Sequence, residues 1–276
     1  MIGLVTDSNA QMPPELVERY GIVVVPLTVT VDGVEYAEGI ELDADAFYAL
    51  FQDGTPKVTT SQPSPGHFLA AYRLLVDAGA SEILSVHIGS ELSGTLNAAR
   101  SASTRCPVPV HLVDTHTGSF GVAFAAWEAA EALLAGADAA AAVRAAEELL
   151  PRVANVFVVR ALDLAAAGGR IRVDEDVDEL IPLLTLLRGD VVVVDRVRNI
   201  DDAAEGMARQ VLAGGSGLRV AIGVADSGAA PLWRALEKRL LGHPQVDELV
   251  RFRIGPSVGA HTGPGTAGAF FVSRSS

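Results

Sequence analysis

A single cysteine, Cys106, rules out an intramolecular disulfide and points to a reducing compartment. It precedes Pro107 and has no CxxC partner, so it reads as a small apolar residue and not as a catalytic thiol. Basic residues are also scarce: 21 Lys and Arg stand against 34 Asp and Glu, a net charge of −13. A nucleic-acid binder needs cations to displace counterions from phosphates, and this balance argues against that role and against a transcription regulator. The same sign disfavours docking on an anionic membrane surface. The longest stretch without Asp, Glu, Lys or Arg, Ile254–Ser273, is broken by Gly and Pro and cannot be a membrane helix. The first residues lack the basic start and apolar core of a secretory signal. With no targeting segment visible, the expectation is a cytoplasmic chain.

What is present is a globular composition: 276 residues, 49% hydrophobic and 20% charged, enough for about two domains with real cores. The first half alternates short apolar runs (Ile2–Val5, Ile22–Pro26, Ile83–Ile88, Val108–Val113) with amphipathic stretches, the pattern of βαβ units and a mostly parallel sheet. Asp32-Gly33 predicts a hairpin between Leu27–Val31 and Val34–Tyr36. After Pro151 the alternation becomes irregular, which predicts a mixed sheet with helices on one face. The expected domains are 1–155 and 156–276.

Hydroxyls collect where the first-half strands end: Thr6-Asp7-Ser8, Gly89–Thr95 and Asp114-Thr115, with Thr59–Ser64 ahead of a helix that starts at Pro65. In a parallel sheet these segments share the carboxyl edge, where α/β folds bind ligands. Helix N-termini and hydroxyls together suit an anion. None of the four segments contains Lys or Arg, so the site suits one modest charge such as a carboxylate. The competing explanation is ordinary helix capping. Gly89–Thr95 resembles a P-loop without its Lys, which argues against nucleotide binding. Gly255-Pro256-Ser257-Val258-Gly259 matches the G-x-S-x-G of a serine hydrolase, with His261 two residues on. The glycines and Pro264 that follow predict no helix after Ser257, where a nucleophile elbow needs one. The six histidines show no metal-ligand spacing, and Asp174–Asp178 lacks the Gly of a calcium loop. The expectation is no metal.

Six motifs in order span nearly the whole chain: Thr6-Asp7-Ser8, Thr60-Ser61-Gln62-Pro63-Ser64, Ser90-Glu91-Leu92-Ser93-Gly94-Thr95, Asp114-Thr115, Gly168-Gly169-Arg170-Ile171 and Gly255–Gly265. In this the chain resembles the DegV family of fatty-acid-binding proteins. The resemblance implies an N-terminal three-layer α/β/α domain and a C-terminal two-layer α/β domain with a mixed sheet. It implies one long-chain fatty acid between the domains. The carboxylate would meet Thr60, Ser61 and Ser93, with Gly94, Thr95 and the His261 loop alongside. It further implies a carrier with no catalytic residue and no cofactor beyond the fatty acid. Such a carrier presents its lipid to a separate ATP-dependent fatty acid kinase subunit, which makes acyl phosphate for phospholipid metabolism. Arg170 and Arg198 would face that partner, and membrane contact would be transient. Where the family usually has Lys, this chain has Ala167, and Ile181-Pro182-Leu183 also lacks one. About fifteen buried methylenes at ~0.8 kcal/mol each would supply on the order of 12 kcal/mol before association costs, so the head group need only orient. The alternative is an enzyme, either a serine hydrolase at Ser257 or a dihydroxyacetone-kinase-like domain.

Overall fold

Strand β1 (Ile2–Asp7) is buried on both faces, as a central parallel strand must be, and its near-continuous apolar sequence reflects that. It lies between β2 (Ile22–Val25) and β6 (Glu82–His87), and β7 (Val110–Asp114) completes the order β2-β1-β6-β7, all parallel. This computed structural model describes residues 1–160, 180–187 and 190–274. On one face of the sheet, α3 (Pro65–Asp77) and α4 (Thr95–Ser103) bury Phe68, Tyr72, Leu75, Ala98 and Ala102 against Val5, Val25 and Ile83. Helices α5 (Phe120–Leu134) and α6 (Ala139–Leu149) form the opposite layer, with Phe120, Phe124 and Trp127 wholly buried. The short α1 (Pro14–Tyr20) starts on proline and ends at Gly21, whose φ of 61° suits glycine.

A separate three-stranded sheet has the order β4-β3-β5, from β3 (Thr28–Val31), β4 (Val34–Ala37) and β5 (Val58–Ser61). The expected hairpin is present: Asp32 and Gly33 both have positive φ (49° and 89°), the geometry that a two-residue turn between twisted strands favours.

The later sheet has six strands in the order β10-β9-β8-β13-β11-β12: β8 (Ala154–Val158), β9 (Ile181–Leu187), β10 (Asp190–Val197), β11 (Leu218–Val224), β12 (Val246–Arg253) and β13 (Ala267–Ser273). Only β11–β12 is parallel, so the sheet is mixed, as the irregular alternation predicted. Helices α7 (Ile200–Leu212) and α8 (Ala230–Leu240) cover one face, burying Met207, Val211, Leu236 and Leu240 on Val156, Val220 and Ile222. Gly223 alternates onto the other face, where a methyl group on it would lie 2.3 Å from the Phe252 ring. Arg219 is buried there too and donates from Nε to Glu248 Oε2 at 2.9 Å.

By packing, the chain forms two units. One comprises Met1–Thr30, Glu35–Ile40 and Thr60–Pro151; the other comprises Val31–Val34, Glu41–Thr59 and Arg152–Ser276. The second includes α2 (Ala44–Ala49), capped by the Asp43 carboxylate on the Ala46 N–H, and α9 (Pro256–Thr262). Helix α9 corrects the expectation that no helix follows Gly255: it forms across Ser257 and Gly259. The physical reason is local packing. A methyl group on Gly259 would lie 2.6 Å from the Tyr48 hydroxyl and 2.7 Å from the Phe47 ring, so this contact needs a bare Cα. That tertiary contact outweighs the cost of about 1 kcal/mol for glycine inside a helix. Among the described residues no helix is long and apolar enough to cross a membrane.

Candidate functional site

Because β1, β6 and β7 run parallel, Asp7, His87 and Asp114 end at one edge, and α3, α4 and α5 start beyond it. Most hydroxyls gathered there do structural work. Thr6 donates to Val86 O at 2.9 Å, and Thr115 to His87 O at 2.8 Å. Ser8 bonds Glu38 and accepts from the Leu27 N–H, while Ser64 caps α3 on the His67 N–H. Helix capping therefore accounts for Ser64 alone, while the others tie strand ends and neighbouring segments together. A further group lies on the 89–95 loop and at the end of β5. Ser93 Oγ and Thr95 Oγ1 are 2.8 Å from each other, flanking Gly94, which starts α4 without a side-chain cap. Thr60 and Ser61 end β5, half-buried and exposed respectively. The next residue, Gln62, reaches across to Gly94: a methyl group there would sit 1.7 Å from Gln62 Oε1. So the ends of β5 and of the 89–95 loop lie side by side.

Beneath this edge lies a buried relay invisible in the sequence. Asp7 Oδ2 accepts from His87 Nδ1 at 2.9 Å and from the Ile88 N–H at 3.1 Å, and Oδ1 accepts from the Asn9 N–H at 3.1 Å. His87 Nε2 lies 2.6 Å from Ser85 Oγ, which lies 3.0 Å from the Tyr72 hydroxyl. Burial pushes the Tyr72 hydroxyl up to about 12. The order Ser–His–Asp is that of a hydrolase relay, but Ser85 is wholly buried and bonded to the Tyr72 hydroxyl. Asp7 and His87 are 80 residues apart along the chain, so no local spacing could have joined them.

At the outer end of the edge, His116 Nδ1 meets Glu91 Oε1 at 2.7 Å, with Asp114 Oδ1 at 3.8 Å. The Glu91 bond raises the His116 pKa. Burial alone would raise the Asp114 carboxyl, but hydrogen bonds from Ser90 and from the His116 N–H bring it below its ordinary value. The three side chains each offer a metal-ligand atom within 4.8 Å of the others, a grouping that histidine spacing did not suggest. They latch the 89–95 loop to the turn after β7, where the Gly89 N–H also donates to Thr117 O at 2.8 Å.

The remaining expected residues fall elsewhere. His261 and Ser257 both lie on α9, in the second unit, and Ser257 is only 2% exposed. Arg198 is exposed between β10 and α7. Arg170, Ala167 and Asp174–Asp178 lie outside the described residues.

Fold and site together define a two-unit α/β protein whose hydroxyl-bearing segments 6–8, 89–95 and 114–115, none with Lys or Arg, lie at the carboxyl edge of a parallel sheet. Residues 1–274 match the family model described as "Uncharacterised protein, DegV family". A DegV domain-containing protein of Streptomyces coelicolor is 36% identical, with 99% of each chain covered. Among solved structures, a fatty-acid-binding DegV family protein from Thermus thermophilus aligns with a TM-score of 0.88 at 33% identity, covering 99% of both chains. DegV from Bacillus subtilis, described as a fatty acid binding protein, aligns with a TM-score of 0.87 at 26% identity, again over 99% of both. The chain belongs to the DegV family.

Proposed function

We propose that this protein binds one long-chain fatty acid and carries it without transforming it. The carboxylate is assigned to the hydroxyls of Thr60, Ser61 and Ser93, with Gly94, Thr95 and His261 completing its surroundings. The observation that carries this reading is the group of hydroxyls where the end of β5 meets the 89–95 loop, two segments without Lys or Arg. Its chemistry suits a single negative charge held by neutral donors. The solved relatives described as fatty-acid-binding support the same reading. Denaturing the purified protein and extracting it should yield C14–C18 acyl chains at about one per chain by mass spectrometry. Finding no such lipid, together with no uptake of added palmitate or oleate, would sink the proposal.

A finer part of the proposal is presentation of the carboxylate to an ATP-dependent kinase subunit, giving acyl phosphate. Arg198, exposed beside α7, and Arg170 are assigned to that partner, because a guanidinium fork recognises carboxylates and phosphates bidentately. The double variant Arg170→Ala with Arg198→Ala should keep its fatty-acid content and melting temperature. Acyl-phosphate formation by a cognate kinase subunit should fall at least tenfold. Unchanged phosphorylation per loaded protein would remove both arginines from the partner surface.

A further inference from the structure

Gln62 stands at the junction that brings the two halves of the hydroxyl group together. Measured from where a methyl group on Gly94 would be, its Oε1 is 1.7 Å, its Cδ 2.7 Å and its Nε2 3.2 Å away. The carboxamide therefore lies against the bare Gly94 Cα, its oxygen nearer than its nitrogen. Its own backbone is held: Gln62 precedes the buried Pro63, which restricts it to extended conformations, and Ser64 then caps α3. Across segments 6–8, 59–64, 89–95 and 114–115, Gln62 is the only residue whose side chain carries N–H donors.

We infer that Gln62 selects the ligand's head group, donating from Nε2 to an ionised carboxylate while Oε1 rests on Gly94. This deepens the fatty-acid reading and rests on it. An ionised carboxylate only accepts, with about four lone-pair sites over two oxygens. Three hydroxyls and a carboxamide N–H can fill those sites without a formal positive charge. An alcohol offers one oxygen and its own proton, and has little use for a further donor. Long-chain aliphatic carboxylates in their ionised form are thus the class that Gln62 favours over neutral lipids of equal length.

The test compares palmitate with 1-hexadecanol, by calorimetry on delipidated protein at pH 7.5. Gln62→Glu is nearly isosteric and turns the donor into a negative charge. Palmitate affinity should fall at least tenfold while 1-hexadecanol affinity stays within twofold. Gln62→Leu, which removes the donor without repulsion, should lose palmitate affinity by a smaller factor and also spare the alcohol. Gln62 is exposed, so both variants should melt with wild type. Palmitate binding by Gln62→Glu within twofold of wild type, where Thr60→Ala is weakened, would overturn the inference alone. Equal loss of acid and alcohol would overturn it too, by showing a steric role. If wild type takes up no palmitate, the inference falls together with the fatty-acid reading.

Discussion

Thr60→Ala and Ser93→Ala should each weaken palmitate binding by about 10- to 150-fold, the equivalent of losing a ~1.5–3 kcal/mol hydrogen bond to a charged group. The two variants should differ in stability. Thr60 is half-buried at the end of β5, and its methyl is small. Ser93 also accepts from the Thr95 N–H at 3.3 Å and pairs with the Thr95 hydroxyl, so its loss disturbs the start of α4. We therefore expect Ser93→Ala to lower the melting temperature by a few degrees, on the order of 1 kcal/mol, and Thr60→Ala to leave it nearly unchanged. Binding should weaken and not vanish, because the buried methylenes still supply most of the affinity. Calorimetric titration of delipidated protein measures this. If both variants bind as tightly as wild type, the carboxylate lies elsewhere.

The largest stability loss is expected at Asp7. Asp7→Ala leaves His87 Nδ1, the Ile88 N–H and the Asn9 N–H without their acceptor in a fully buried layer. An orphaned buried donor costs ~1–3 kcal/mol, so three together should cost about 3–6 kcal/mol. That is a large share of the ~5–15 kcal/mol that holds a typical native protein. Asp7→Asn keeps the volume and one acceptor oxygen and should lose clearly less. Urea denaturation of the two variants checks this. A loss below about 1 kcal/mol for Asp7→Ala would mean that water or a rearranged neighbour replaces the carboxylate.

Much of the first unit was legible because its signals are local. Ile2–Val5 and Ile83–Ile88 are apolar runs long enough to declare buried parallel strands, and the hydroxyl segments announced the edge they share. The mixed later sheet was legible from the loss of regular alternation. Short elements were not. Helix α2 has 6 residues and β5 has 4, Val-Thr-Thr-Ser, too few to show a period. Strand β9 contains Pro182, a residue that by itself argues against a strand interior. Helix α9 was hidden by Gly259, whose value depends on Phe47 and Tyr48, more than 200 positions earlier. The Asp7–His87–Ser85–Tyr72 relay and the contact of Gln62 with Gly94 have the same character. Each residue is ordinary in its own segment, and only the fold makes it a partner.

The chain changes units at Thr30/Val31, Val34/Glu35, Ile40/Glu41, Thr59/Thr60 and Pro151/Arg152. In terms of modular exchange, neither unit is a cassette. A chimera joined at Pro151 would bring its own Phe47 and Tyr48 in the donated segment, but would meet a helix α9 shaped around Gly259 for another protein's aromatics. Strand β5 is itself one of these crossings, since Val58 and Thr59 fall in one unit and Thr60 and Ser61 in the other. Exchanging whole units between relatives would therefore cut through β5. Grafts that respect this weave would move 41–59 together with α9, leaving the four-stranded sheet and its buried relay untouched.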